Sequence, residues 1–158
     1  MKAETKKEFT RKITQANKTG LVVIVYEMFL TYIEDALKAY NELNRKEFVF
    51  NLDMARQCIW EMRNILNFNY NLSQNLFALY NFADRELAKD IFGCKNDNLE
   101  EIRMMFKKLH DAYEKISVQD TSKPLMQNTE EVYAGLTYGR YSLNETSSLQ
   151  GAERGYRV

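Results

Sequence analysis

Proline is nearly absent from this chain. The 158 residues contain a single proline, Pro124, so the strongest helix breaker is missing from everything that precedes it. Long proline-free segments in which apolar residues recur three and four positions apart are typical of helix bundles. Glycine marks the same division, because four of the six glycines follow the proline. The composition therefore predicts an all-α fold followed by an irregular tail.

Histidine and cysteine are too sparse for the usual metal and redox sites. His110 is the only histidine, and Lys107 stands where the Glu-x-x-His motif of di-iron bundles requires a glutamate. Zinc sites need clustered cysteines and histidines, whereas Cys58 and Cys94 stand apart in helical patterns. We therefore expect no cofactor and no metal. A thiol enzyme using Cys58 or Cys94 stays open as an alternative, although neither has a nearby histidine in sequence to activate it.

An excess of either charge is also missing. Lysine and arginine together number 22, as do aspartate and glutamate, so the net charge is zero. Nucleic-acid-binding proteins usually carry a basic excess on one face, and the sequence supplies none. The phosphate-binding motifs G-x-x-x-x-G-K and G-x-G-x-x-G are absent as well. With neither a signal peptide nor a cysteine framework, we expect a cytoplasmic protein that is not an enzyme and binds no nucleic acid.

The longest apolar stretch is LVVIVYEMFLTYI at residues 21–33, where only Glu27 and Thr31 are not apolar. A membrane-spanning helix needs about 20 apolar residues, so we expect no membrane insertion. A helix with one buried face would hide the stripe Val22, Val25, Phe29, Tyr32, Ala36, Ala39 and Leu43. The remaining apolar residues cover both flanks. This helix is therefore predicted to be buried on several sides, either by its own chain or by a partner.

Periodicity predicts four long helices joined by short polar breaks. They run from about residues 18 to 44, 48 to 68, 71 or 73 to 92, and 99 to 117. Asn17 fits the N-cap of the first, and Gly93 fits a left-handed C-terminal cap of the third. We expect residues 17–117 to form an antiparallel four-helix bundle. A short helical arm at residues 1–16 would precede it, and a mostly irregular tail at residues 118–158 would follow it.

Several large apolar residues fall outside the predicted stripes. They are Ile24, Leu30, Trp60, Phe77 and Phe82. A wide stripe would bury any one of them, and that reading stays open for each. Together they exceed what a small bundle readily hides, and exposed grooves between helices receive amphipathic helices from partners. The sequence favours a binding protein over an enzyme, with a homodimer formed through the same surface as the alternative.

Two stretches resemble the flagellar export chaperone family FliS. Residues 16–33, ANKTGLVVIVYEMFLTYI, are similar to the first-helix pattern A-S-P-x-x-L-[LV]-x-x-L-Y-D-G-A-[IL]-x-F-[LI] of that family. Residues 75–82, NLFALYNF, are similar to its third-helix pattern N-L-Y-x-L-Y-x-[YF]. The resemblance covers about residues 5–117. It departs from the family at Glu27 and Met28, which replace Asp-Gly, and at Asn17 and Lys18, which replace Ser-Pro.

The resemblance implies a cytoplasmic flagellar secretion chaperone. It would bind the C-terminal segment of flagellin, prevent premature polymerisation and help present flagellin to the export gate. In this family the N-terminal arm can cover the binding groove, a role that would fall to Phe9 and Ile13 here. Apart from the resemblance, the apolar residues of segment 132–143 suggest a replaceable cover of the groove or a contact with a neighbouring subunit, and disorder of this glycine-containing segment is the alternative. The residues predicted to bind the partner are Phe9, Ile13, Ile24, Tyr26, Leu30, Trp60, Phe77, Tyr80 and Phe82. The alternative is a non-enzymatic helical bundle that forms a homodimer or acts as an adaptor for another protein.

Overall fold

The computed structural model describes residues 3–126, which contain five α-helices and no β-strand. The helices are α1 (Ala3–Gln15), α2 (Lys18–Asn41), α3 (Arg45–Asn64), α4 (Asn71–Gly93) and α5 (Leu99–Gln119). The prediction of an all-α bundle with an N-terminal helical arm is confirmed. Within these residues, no helix combines the length and apolar character needed to cross a membrane. Most of the predicted tail, including the cover at 132–143, lies outside the described residues, and the division into three segments stays a prediction.

Helix α2 is central to the fold because α1, α3 and α5 all pack against it, while α4 packs against α3. Its buried residues therefore cover more than one face, as the apolar run at 21–33 predicts. They are Val23, Ile24, Tyr26, Phe29, Tyr32, Ile33, Ala36 and Ala39. The predicted single stripe was wrong at three positions. Val22 and Val25 are only half-buried, and Leu43 lies beyond the end of α2 and is 91% exposed.

Aromatic side chains join the helices at the middle of the main core. The rings of Phe29 on α2 and Phe106 on α5 stack with centroids 4.1 Å apart. Tyr26 contacts the same Phe106 ring edge-on at 6.1 Å, and Tyr80 brings α4 to within 6.0 Å of it. Aromatic pairs at such distances add to the free energy gained from burial alone. The two tyrosines therefore lie inside the bundle and fix the position of α4 relative to α2.

Asparagine side chains set the starts of α2 and α3. The predicted cap at Asn17 is present: its side-chain Oδ1 accepts a hydrogen bond from the Gly20 backbone N–H at 2.8 Å. Helix α2 ends at Asn41 instead of residue 44, because Asn44 is used as the next cap and accepts from the Glu47 N–H at 3.2 Å. Helix α3 consequently begins at Arg45, earlier than predicted.

The left-handed residue that ends α4 is Cys94, and the prediction of Gly93 for this position was wrong. Cys94 has φ 50° and ψ 49°, whereas Gly93 is the last helical residue and has no positive φ. The Cys94 N–H donates to the backbone oxygen of Asp90, which completes the last turn. The helix therefore extends one position further than a glycine cap would place it.

At one end of the bundle, apolar residues whose helical spacing predicts burial are exposed. Ile65 at the end of α3, Leu72 at the start of α4 and Ile116 near the end of α5 are exposed. Phe68 and Tyr70 lie in the connector between α3 and α4, where aromatic residues would be expected to close the end of the bundle, and they are exposed as well. Helical spacing predicts the face on which a residue lies, but not whether another helix covers that position.

Candidate partner-binding surface

Helix α1 covers a strip of α2 through a small apolar cluster of its own. Phe9 on α1 and Ile24 on α2 are both buried, together with Ala16 at the junction between the two helices. Ile13 is half-buried against them. We call Phe9, Ile13, Ala16 and Ile24 the arm cluster. In the described part of the chain its buried residues do not belong to the main core, and half-buried Met28 of α2 packs against both groups.

An ion pair adds to the contact between α1 and α2. The Lys12 Nζ lies 2.8 Å from Glu27 Oε2 and 3.7 Å from Glu8 Oε1. The hydrogen bond to Glu27 raises the pKa of Lys12, so its ammonium group stays charged. Because the side chains of Lys12 and Glu27 remain partly exposed, such a pair contributes about 1 kcal/mol or less.

Trp60 on α3 and Phe77 on α4 lie on the helix faces that carry the ion pairs between these two helices. Arg56 and Arg63, which share the face of Trp60 on α3, both reach Asp84 on α4, at 2.8 Å and 3.3 Å. Asp84 and Phe77 share a face of α4, being seven positions apart. Trp60 is 54% exposed and Phe77 39% exposed. We call the line along which α3 and α4 meet the seam. The ion pairs of Asp84 lie at its centre, and each of the two helices carries an exposed aromatic ring, Trp60 or Phe77.

Phe82 does not join these two residues. It is 41% exposed but follows Phe77 by five positions, which places the two side chains about 140° apart around α4. The sequence prediction grouped them because both fall outside the buried stripe. The structure leaves both exposed on the same helix, but on different faces.

Tyr80 lines an apolar cavity of about 260 Å³ at the uncovered end of the bundle. The cavity lies between the start of α2, the end of α3, the start of α4 and Tyr113 of α5. Its apolar lining includes Val22, Met62, Ile65, Leu66, Tyr70, Leu72 and Leu76. We call it the bundle-end cavity. Sequence reasoning missed Ile65, Tyr70 and Leu72 as surface residues here; the available signal was the mixture of asparagine and aromatic residues at 67–71.

Tyr26 and Tyr80 are buried, and their hydroxyl groups hydrogen-bond to each other. Burial raises the pKa of Tyr80 to about 12, and it raises the pKa of Tyr26 further. Both phenols therefore stay neutral at physiological pH. Leu30 is half-buried against the main core. In this conformation neither tyrosine offers accessible side-chain surface to a partner, unlike Trp60, Phe77 and Phe82.

Two groups of side chains with chemical reactivity are Cys58 and the cluster around His110. Burial raises the pKa of the Cys58 thiol to about 12, so the reactive thiolate is disfavoured. Within residues 3–126 one group of side chains, His110, Asp111 and Glu114, brings three ligand atoms within 4.8 Å of one another. The His110 Nδ1 is already 3.0 Å from Asp111 Oδ1. That nitrogen therefore has a hydrogen-bond partner without a metal ion.

Comparison with known proteins gives one family. The family model described as "Flagellar protein FliS" matches residues 1–120, a range that includes all five described helices and both sides of the arm cluster. No curated protein is matched by the chain.

Proposed function

The chain belongs to the FliS family of flagellar proteins, and we propose that it is the chaperone that binds the C-terminal segment of flagellin. The family is one of flagellar export chaperones, not of enzymes. The observation that supports the more specific proposal is the exposed apolar surface on α3 and α4, together with the bundle-end cavity. Binding there would keep the segment from polymerising before export.

Apolar surface is sufficient to drive such binding. Each Å² of apolar area removed from water contributes about 25 cal/mol, and a disordered segment that folds on a groove buries a large area. An amphipathic helix presents apolar residues at positions i, i+3, i+4 and i+7, which suits a seam whose helix faces carry Trp60 and Phe77. The exposed Phe82 offers a contact on a further face of α4, as expected if the partner wraps around the bundle.

We further propose that α1 covers part of the binding surface when the partner is absent. Phe9 and Ile13 are four positions apart on one face of α1, and they pack against α2 beside Ile24. An amphipathic helix of a partner would pack in the same way. Because the buried residues of the arm cluster are not part of the main core, departure of α1 would leave that core closed and would uncover Met28, which packs against both. Departure of α1 would also expose Ile24 and the neighbouring half-buried residues of α2.

The remaining predicted residues take supporting roles in this proposal. Tyr80 shapes the floor of the bundle-end cavity, and Tyr26 holds Tyr80 in place from α2. The exposed part of the Leu30 side chain would contact a bound helix. A cytoplasmic location and a contact with the export gate rest on the family resemblance.

Isothermal titration calorimetry with the flagellin from the same genome tests the proposal. We expect the C-terminal segment of that flagellin to bind with a Kd of about 1 μM or below, and with a large negative heat-capacity change from coupled folding. A peptide of the same composition in scrambled order is the matched control. Absence of binding by the native peptide would overturn the proposal. Concentration-dependent mass in sedimentation, unaffected by the peptide, would favour the homodimer instead.

A further inference from the structure

The chain that follows α5 returns to the junction between α1 and α2. The backbone N–H of Leu125 donates a hydrogen bond to the backbone oxygen of Ala16 at 3.0 Å. Ala16 and Asn17 are the two residues between α1 and α2. We call this junction the hinge of the arm, where the arm is α1. The returning segment is hydrogen-bonded to the hinge although Asn17 and Asp120 are 103 residues apart in sequence.

The side chain of Asn17 forms hydrogen bonds both with α2 and with the segment that follows α5. Its Oδ1 accepts from the Gly20 N–H and caps α2, while its Nδ2 donates to the backbone oxygens of Asp120 at 3.0 Å and Ser122 at 3.4 Å. The Thr19 hydroxyl donates to Asp120 Oδ2 at 2.5 Å. The other carboxylate oxygen of Asp120 accepts from the Ser122 N–H at 3.0 Å. The start of α2 and the segment after α5 are therefore joined by a continuous set of polar contacts.

A cavity lies beside this junction, and the buried side chains of Ala16, Val23 and Ile24 form its apolar wall. The cavity, of about 370 Å³, opens between the end of α1, the start of α2 and the returning segment, with Lys12, Gln15, Asn17, Ser117 and Pro124 in its lining. Across this space the returning segment is joined to the two helices by the hydrogen bonds to Ala16, Asn17 and Thr19. Such bonds can break and re-form without disturbing the main core.

We propose that residues 120–125 form a latch that holds the α1–α2 junction and sets how readily α1 opens. The latch acts on the arm at its hinge, whereas the arm cluster and the ion pair of Lys12 act along its length. The consequence for partner binding rests on the function proposed above. The latch itself is a property of this chain and is measurable without a partner.

Two substitutions in the full-length protein break the latch and preserve the helices. Asn17→Asp keeps an oxygen to cap α2 but removes the donor to Asp120 and Ser122, and it places a second carboxylate beside that of Asp120. Thr19→Val removes the hydroxyl donor at nearly constant volume. Thr31→Val is the matched control, because the Thr31 hydroxyl donates to the Glu27 backbone oxygen within α2.

Hydrogen exchange followed by mass spectrometry reads the opening of α1 directly. We expect Asn17→Asp to raise exchange of the α1 amides on the order of 10-fold, and Thr19→Val to raise it several-fold, because each hydrogen bond lost makes opening more favourable. Exchange in α3 should stay unchanged in all variants. Thr31→Val should leave α1 as in the wild type. Unchanged α1 exchange in Asn17→Asp, or α1 amides unprotected already in the wild type, would overturn the latch.

Titration with the C-terminal flagellin peptide separates the latch from the proposed function. If the chain binds this peptide and α1 covers the site, Asn17→Asp should tighten binding by about 3- to 10-fold. Faster α1 exchange with no peptide binding by any variant would support the latch and contradict the flagellin proposal. Peptide binding with α1 exchange equal in Asn17→Asp and wild type would support the function and overturn the latch.

Discussion

The side-chain hydroxyls of Tyr26 and Tyr80 hydrogen-bond to each other inside the bundle and join α2 to α4. Tyr26 belongs to the run at 16–33, and Tyr80 belongs to the run at 75–82. These are the two stretches that carry the family resemblance. The two stretches therefore meet through one polar contact in the main core, which gives a structural reason for a tyrosine at both positions.

Removing one hydroxyl of this pair should destabilise the protein. Tyr80→Phe leaves the Tyr26 hydroxyl buried without its partner, which costs about 1–3 kcal/mol. The double variant Tyr26→Phe, Tyr80→Phe should cost less than the sum of the single variants, because it leaves no unpaired group. Urea unfolding measures all three. Tyr40→Phe is the control, since Tyr40 is half-buried and shows no side-chain hydrogen bond within residues 3–126; strict additivity of the pair would contradict the prediction.

Trp60 should contribute strongly to partner binding and little to folding. Because its ring is half-exposed beside the seam of α3 and α4, Trp60→Ala should weaken binding of the flagellin peptide by about 10- to 100-fold. The free energy of unfolding should fall by less than about 1 kcal/mol. Phe92→Ala, at the far end of α4 and 92% exposed, is the matched control and should leave affinity unchanged. Equal effects of the two variants would remove Trp60 from the site.

Phe9 tests whether α1 acts as a cover. Phe9→Ala removes the largest side chain of the arm cluster, so α1 should open more often and the flagellin peptide should bind about 3- to 10-fold more tightly. Calorimetric titration gives the affinity. Lys7→Ala, at an exposed position of the same helix, should have no effect. A fall in affinity for Phe9→Ala would show that Phe9 contacts the partner instead of covering its site.

Asp90 should make stability depend on pH. Burial, followed by the charges of Asp97 and Glu86, raises the pKa of Asp90 to about 6. A raised carboxyl pKa means that its stabilising contribution is complete below the unfolded pKa near 3.9 and is lost as pH rises through about 6. Between pH 4 and pH 7.5, the free energy of unfolding of Asp90→Asn should therefore rise by about 2 kcal/mol relative to that of the wild type. Urea unfolding across this range measures it, and a pH-independent difference would refute the assignment.

The left-handed conformation of Cys94 predicts a stabilising substitution. A non-glycine residue in the left-handed conformation lowers stability by about 1–2 kcal/mol. Glycine avoids this cost, but part of the gain is lost because glycine gives up more conformational entropy on folding. Cys94→Gly should therefore stabilise the protein by about 0.5–1 kcal/mol in thermal or urea unfolding. Gly93→Ala is the informative partner: it should also stabilise, because Gly93 is helical and a Cβ there meets Lys95 Cγ at an ordinary 3.5 Å. Destabilisation by Gly93→Ala would place the left-handed residue at 93.

Local sequence information was sufficient for the existence of the helices and for the exposure of Trp60. The 100° step of the helix places Trp60 away from Ile59, and the structure buries Ile59 while leaving Trp60 exposed. The cap at Asn17 was predictable for the same reason, since its partner Gly20 is only three positions away.

Contacts between distant segments were not predictable from periodicity. Ile24 falls outside its stripe and yet is buried, because α1 folds back over α2. Cys94 takes the left-handed conformation although a glycine precedes it, so the usual preference for glycine did not identify this position. The contact of Asn17 with Asp120 joins two polar residues whose proximity only the completed bundle produces.

The latch also has a consequence for the order of events during protein synthesis. Asn17 leaves the ribosome 103 residues before Asp120, a delay on the order of 5 to 20 s at bacterial rates of elongation. During that interval α1 can pack against α2, but Asn17 at the hinge cannot yet form its hydrogen bond with Asp120. The arm of a nascent chain is therefore freer than the arm of the finished protein, and it becomes fixed only when the last described residues have emerged.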